Sequence, residues 1–375
     1  MKRFAIWLLC LSMTLVLAAP AAQAEDFKLG LMCPVTGKWA AEGLDMQNTV
    51  SLLVDQTNAK GGINGMKIEL IVEDDAGDPR SAALAAQKLV SAGVKAVIGT
   101  YGSAVTEASQ NIYDEAGVVQ IATGATSIRL TEKRLPLFLR TAPRDDSQGL
   151  AAAKVLLKRG YKRIAILHDN SSYAKGLADE TQKNLEGKGP EIVFFDALTP
   201  GERDYTATLT KIKATNPEVI FFSAYYPEAG MLLRQKREMG WVVDLMSADA
   251  SNHADLVTIA GKEAAKGFFF VSPPMPQDID TDLCLEFLKQ YKAKFNCEPV
   301  SVWGTMAGDA YQAIEAALAA GKTEPEEMVA YLKTLRDLPV LSGTVGFDEI
   351  GDRIGDFYRL YITDADGKFI LQPRD

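Results

Sequence analysis

From Phe27 onward, short β-rich runs alternate with amphipathic stretches almost to the end of the chain, and no other feature restricts the fold as much. Phe27 to Met32 reads as a strand, and Gly43 to Ala59 as a helix with Leu44, Val50, Leu53 and Val54 apolar. Gly61-Gly62-Ile63-Asn64-Gly65 is a tight turn of residues that tolerate positive φ. Lys67–Glu73 is a second strand, and Pro79 opens a helix at its favoured first-turn position. Val94–Gly99 and Val118–Ala122 are further strands, with a helix over Ser103–Ala116 between them. After about Pro143 the pattern restarts. Helices over Ser147–Arg159, Tyr173–Leu185, Tyr205–Ala214 and Glu228–Met239 interleave with strands over Arg163–Leu167, Glu191–Phe195, Glu218–Phe222 and Asp244–Met246. Strands separated by helices at this spacing form parallel sheets covered on both faces.

Two such runs predict an α/β protein of two doubly wound parallel-sheet lobes, since 375 residues exceed what one compact core accommodates. The last third predicts helices over Thr281–Phe295, Val302–Ala320 and Pro325–Leu335, then short strands around Thr344–Phe347 and Phe357–Thr363. These read as segments completing the earlier lobes, so the chain crosses between them several times. The expected division is 25–143 in lobe 1, 144–272 in lobe 2, 273–343 returning to lobe 1 and 344–375 to lobe 2.

The N-terminus predicts the compartment. Met1-Lys2-Arg3, an uncharged apolar run from Phe4 to Ala19, Pro20, and Ala22-Gln23-Ala24 make the three-part layout of a secretory signal, with cleavage expected after Ala24. The run falls short of the ~20 residues of a spanning helix, and Cys10 within it precedes the cleavage site, against a lipid anchor. Losing Lys2 and Arg3 takes the net charge from −9 to −11, which argues against nucleic-acid partners. Cys33, Cys284 and Cys297 remain. Cys284 and Cys297 flank a helical stretch that holds them beyond bonding reach, so no structural disulfide is expected.

Catalytic chemistry finds little to build on. His168 and His253 are the only histidines, neither at metal-ligand spacing from a cysteine, and nucleophile-elbow, dinucleotide and phosphate-loop motifs are missing. No cofactor or metal is expected. The acidic group Glu73, Asp74, Asp75 and Asp78 reads as a turn and helix cap before Pro79 rather than a cation site.

Binding is better supported. In open α/β sheets, ligands dock beyond the carboxyl ends of strands, where helix N-termini present free N–H groups. Ile98-Gly99-Thr100-Tyr101-Gly102-Ser103 is a strand, a glycine turn and a hydroxyl at a helix start, and Ile121-Ala122-Thr123-Gly124-Ala125-Thr126 repeats the arrangement. Ser103 reads either as an anion donor or as a plain helix cap, and the second segment either as its partner or as an ordinary loop. In the second run, Tyr225 and Asp249 follow strands and offer an aromatic wall and a carboxylate. A zwitterion needs both signs, and this set supplies them.

The sequence resembles the branched-chain (Leu/Ile/Val) amino acid binding proteins of ABC transporters, which have the type I periplasmic-binding-protein fold. The likeness runs over the whole chain after Ala24, through Asn58–Gly65, Asp74–Pro79, Val97–Gly99, Leu139–Thr141, Arg163–Asp169, Tyr173–Ala178, Val193–Asp196 and Tyr226–Glu228. It implies two lobes joined by three crossovers that close on a free L-amino acid, branched-chain or otherwise apolar or aromatic, and a monomer that delivers it to inner-membrane permease subunits from the periplasm. By resemblance, Ser103 and Thr126 hold the ligand carboxylate with Gly124 and Ala125, Asp249 pairs with the ammonium in place of the usual glutamate, and Tyr225 and Tyr173 wall the cleft. The side-chain pocket departs from the pattern: Tyr101 stands for a leucine, Ser301 for a phenylalanine, Glu42 for an aromatic with Trp39 nearby, and Gly102 for a cysteine. Tyr101 is expected to shorten one side of the pocket and Ser301 to open another. The rival reading is a periplasmic sensor of the same fold that partners a membrane receptor.

Overall fold

The structure is a computed structural model and describes residues 25–374. The expected signal peptide and Cys10 lie outside the described residues.

The first lobe holds strands β1 (Phe27–Cys33), β2 (Ile68–Asp74), β3 (Ala96–Ile98), β4 (Val119–Ala122) and β5 (Phe138–Arg140). Helices α1 (Ala40–Ala59), α2 (Pro79–Ala92), α3 (Ser103–Glu115) and the short α4 (Arg129–Glu132) lie between them. The sheet is parallel throughout, in the order β2-β1-β3-β4-β5. Its middle strands are buried along their whole length, as strands covered on both faces must be. Local chemistry sets the helix ends. Asp78 accepts from the Ser81 N–H at 2.9 Å and Pro79 takes the first helical position, so the acidic group serves as the turn and cap that open α2.

Helix α5 (Asp145–Lys158) opens the second lobe. Strands β6 (Arg163–His168), β7 (Glu191–Ala197), β8 (Val219–Ser223), β9 (Asp244–Ser247) and β10 (Phe269–Ser272) follow, with α6 (Ser172–Leu185), α7 (Thr206–Ala214), α8 (Tyr226–Glu238), α9 (Asp255–Ala260) and α10 (Lys262–Ala265) between them. These strands take the order β7-β6-β8-β9-β10, the topology of the first lobe repeated. After β10 the chain returns to lobe 1 as α11 (Asp282–Phe295), α12 (Val302–Ala319), α13 (Pro325–Leu332), β11 (Leu338–Val340) and β12 (Gly343–Val345). Finally β13 (Arg359–Thr363) pairs antiparallel with β10, and β14 (Phe369–Leu371) with β13.

The last crossing falls later than the expected boundary at 344. Strand β12 pairs with β11, and Phe347 bridges to Arg353. The Gly351 carbonyl accepts from the Arg140 N–H at 2.9 Å, and Arg353 forms a buried ion pair with Asp309 of α12 at 2.8 Å. Those contacts hold the chain on lobe 1 through Arg353. The first and last connections also meet in one charged knot: the Asp352 carboxylate takes Arg140, at the end of β5, at 2.5 Å and Arg144, in the first crossover, at 2.6 Å. Cys33, Cys284 and Cys297 are all free thiols.

Candidate functional site

In the 2-1-3-4-5 strand order the connections leave the sheet in opposite directions from β1 and β3, which opens a crevice at their carboxyl ends. Each lobe has such a crevice, and the two face each other. Trp39 and Glu42 follow β1, Tyr101 to Ser103 follow β3, and Gly124 to Thr126 follow β4. Opposite them, Tyr173 follows β6, Tyr225 follows β8, and Asp249 follows β9.

The lobes are closed on each other. The Tyr226 hydroxyl donates to the Lys38 carbonyl at 3.2 Å, and Arg129 donates to the Ser172 Oγ at 2.8 Å. The Trp39 and Tyr225 rings pack at 4.2 Å between centroids. All twelve residues singled out from the sequence are buried between or just beneath the two faces.

On the first wall, the turns after β3 and β4 are laced together: Gly124 N–H donates to the Thr100 carbonyl at 3.2 Å, and Tyr101 and Gly124 form a parallel bridge. A Cβ on Gly124 would meet the Tyr101 ring at 2.6 Å, so only glycine permits this approach. Gly102, at φ +89°, turns the chain into α3 beneath Trp39, whose ring a Cβ there would meet at 3.1 Å. Helix α3 therefore starts at Ser103, where first-turn N–H groups have no intrahelical acceptor. The Ser103 Oγ accepts from the Ser127 N–H at 3.1 Å, which leaves its own proton free to donate. Ala125 gives its carbonyl to Arg140 at 3.4 Å. The Thr126 hydroxyl is buried with no hydrogen-bond partner.

The second wall is acidic. Asp249 starts a short 3-10 turn and is 1% exposed. Its carboxylate accepts from the Tyr173 hydroxyl at 2.8 Å, the Ala250 N–H at 2.8 Å and the Tyr358 hydroxyl at 3.5 Å. Burial raises its pKa to about 6, against the pull of the neighbouring Gln148 amide and of these donors. Beside it lies a second buried acid, Asp145, whose backbone N–H donates to the Thr126 carbonyl at 2.9 Å. Neither Asp145 carboxylate oxygen makes a hydrogen bond of good geometry, and burial, opposed by the nearby Thr126 hydroxyl and reinforced by the Asp249 charge, pushes its pKa well up. Two neighbouring buried carboxyls form a ready seat for a cation.

Aromatic rings close the far side. Tyr101 lies 5.2 Å from Trp39 edge-on, 5.7 Å from Tyr225 and 5.7 Å from Trp303, and Tyr225 lies 5.3 Å from Tyr173. Ser301 does not open the pocket as expected. Its hydroxyl turns back to cap α12, accepting from the Trp303 N–H at 3.0 Å, and Trp303, in the first turn of that helix, supplies bulk against Tyr101. Asp145, Tyr358 and Trp303 are the residues that sequence reasoning missed. Asp145 carried a usable signal, as an acid just past the first crossover. Tyr358 sits in the last crossover and carried none.

With this geometry established, comparison with known proteins is decisive. Residues 26–368 match the periplasmic binding protein family. The chain belongs to that family. A Leu/Ile/Val-binding protein homologue of Brucella abortus is 33% identical over 359 residues, covering 94% of this chain and 95% of its own. The leucine-, isoleucine-, valine-, threonine- and alanine-binding protein of Pseudomonas aeruginosa is 33% identical over 338 residues, 89% of each chain. Among solved structures, the branched-chain amino acid transporter substrate-binding protein of Streptococcus pneumoniae in complex with isoleucine superposes with a TM-score of 0.83 at 28% identity. That match covers 92% of this chain and all of the other. Like those family members, this chain is a two-lobed α/β protein, and no helix among the described residues is long and apolar enough to cross a membrane.

Proposed function

We propose that this protein is the solute-binding component of an ABC transporter, exported to the periplasm, where it captures a free L-amino acid between its lobes and presents the closed form to the permease. The observation that carries the reading is the pairing of opposite chemistries across one closed cleft. Anion donors at the start of α3 and at Thr126 face the buried carboxyls of Asp249 and Asp145. The names of the relatives put leucine, isoleucine, valine, threonine and alanine first among the ligands to test.

In the proposed cycle the open first lobe takes the ligand carboxylate on Ser103, Thr126 and the free N–H groups around them, helped by the α3 dipole. The lobes then rotate about the three crossovers, and Asp249 and Asp145 meet the ammonium while Tyr173, Tyr225 and Tyr358 exclude water. Contacts made only in the closed state drive the shift in population. The ammonium restores both acids to their ionised forms, because a positive charge removes the penalty that burial imposes on them. No bond is made or broken, and the protein works as a monomer. A thermal-shift screen against the common L-amino acids tests the proposal, since a ligand held only by the folded state raises apparent stability by RT ln(1 + [L]/Kd). A clear rise with at least one amino acid is expected; no rise with any of them would overturn it.

A further inference from the structure

The end of the cleft remote from the acids holds polar atoms that a purely aliphatic side chain leaves unanswered. The Tyr101 hydroxyl, the Glu42 Oε2 and the Trp39 indole N–H are each buried and each lacks a hydrogen-bond partner. They share one wall. Trp39 and Glu42 stand one helical turn apart at the start of α1, and the Tyr101 ring abuts Trp39 at 5.2 Å. After burial, the strongest influence holding the Tyr101 phenol in its neutral form is the Glu42 charge, which marks the two as neighbours. Orphaned polar groups in a closed site are costly, and such atoms persist where a ligand completes them.

We infer that the ligand is an amino acid whose side chain combines a short apolar or ring stem with a neutral tip that both donates and accepts a hydrogen bond, a hydroxyl or carboxamide. This rests on the amino-acid reading above and narrows it to one side-chain chemistry. The stem lies among the rings of Trp39, Tyr225 and Trp303. The tip donates to Glu42 or the Tyr101 oxygen and accepts from the Tyr101 hydroxyl or from Trp39, which can only donate. A leucine-like side chain satisfies none of the three. A cationic side chain offers no acceptor to Trp39. Glu42, held up at about 8 chiefly by burial, against the pull of the Ser301 hydroxyl and with Asp45 adding to the rise, is mostly protonated at neutral pH and suits a neutral partner. Threonine in the name of the Pseudomonas aeruginosa relative shows that a hydroxyl-tipped ligand is compatible with this family.

Near-isosteric ligand pairs isolate the tip: threonine against valine, glutamine against methionine, tyrosine against phenylalanine. Titration calorimetry on the wild-type protein should find the polar member of the best-binding pair favoured about tenfold or more, because one unmet buried polar group costs about that factor. The winning pair separates hydroxyl from carboxamide. In Tyr101→Phe, which keeps the ring, and in Glu42→Leu the ratio should fall toward one. The ratio within a variant is independent of its folded fraction, and melting curves check that fraction. An apolar member that equals or beats its polar partner in every pair overturns the inference and leaves the amino-acid reading standing. So does lysine or arginine as the tightest ligand, or a ratio unmoved by both substitutions. Binding of no amino acid overturns the reading itself, and the inference with it.

Discussion

Asp249→Asn separates a binding role from a structural one, because the two predict opposite signs for stability. The substitution keeps the shape and leaves an oxygen for the Tyr173 hydroxyl at 2.8 Å and the Ala250 N–H. What it removes is the charge. Holding the carboxyl at about 6 rather than 3.8 penalises the ionised form by about 3 kcal/mol near neutral pH, so the empty asparagine variant should be more stable by up to roughly that amount. In the complex, breaking a buried ion pair by removing one partner costs about 3–5 kcal/mol. Asp145 remains beside the ammonium, so the lower end applies, and affinity should drop by about a hundredfold. Differential scanning calorimetry of the ligand-free protein reads the change in stability, and titration calorimetry reads the change in affinity. Affinity within threefold of wild type would refute the reasoning. A lowered melting point together with weaker binding would show that Asp249 chiefly holds the fold.

Other outcomes follow from the same contacts. Asp145→Asn should weaken binding about tenfold or more by calorimetry, since neither oxygen makes a hydrogen bond of good geometry to the protein and both can turn to the ligand. Affinity should fall as pH drops through about 6, because a protonated Asp249 must lose its proton to meet an ammonium; calorimetry across that range checks it. The ligand-free melting point should rise as pH falls from about 8 to 5. Glu42, Asp45 and Asp249 are raised to about 8, 7 and 6, and a group raised in the folded state contributes stability below those values and loses it above them. Asp309→Ala strands the buried Arg353 and should cost about 3–5 kcal/mol in a urea melt. Arg129→Ala, which cuts an exposed contact between the lobes, should change affinity less than about fivefold.

The alternation of strand and helix was enough to read two doubly wound lobes, because strands such as Val219–Ser223 are buried on both faces and so form unbroken apolar runs. The strands Phe138–Arg140 and Phe269–Ser272 escaped notice, being too short to carry a period of their own. Their existence depends on neighbours: β5 adds to β4, and β10 sits between β9 and β13. The positions of candidate residues that follow strands at a lobe's crevice, such as Ser103 and Tyr225, were legible from topology alone. Trp303 was not, since the substitution of serine at 301 suggested open space, and only the helix cap made by Ser301 shows that the bulk comes two residues later. Tyr358 reaches the cleft from the last crossover, whose path depends on how the lobes close rather than on any local pattern.

Whether each half of an amino-acid head is read by a different lobe is settled most directly by paired analogues of the best ligand. One analogue lacks the amino group and the other has its carboxylate blocked as the amide, and both are titrated by calorimetry at pH 7.5. Each should bind at least about a hundredfold more weakly than the parent, because each leaves one charged wall of the closed cleft unmatched. A deaminated analogue that binds as tightly as the parent would contradict the account.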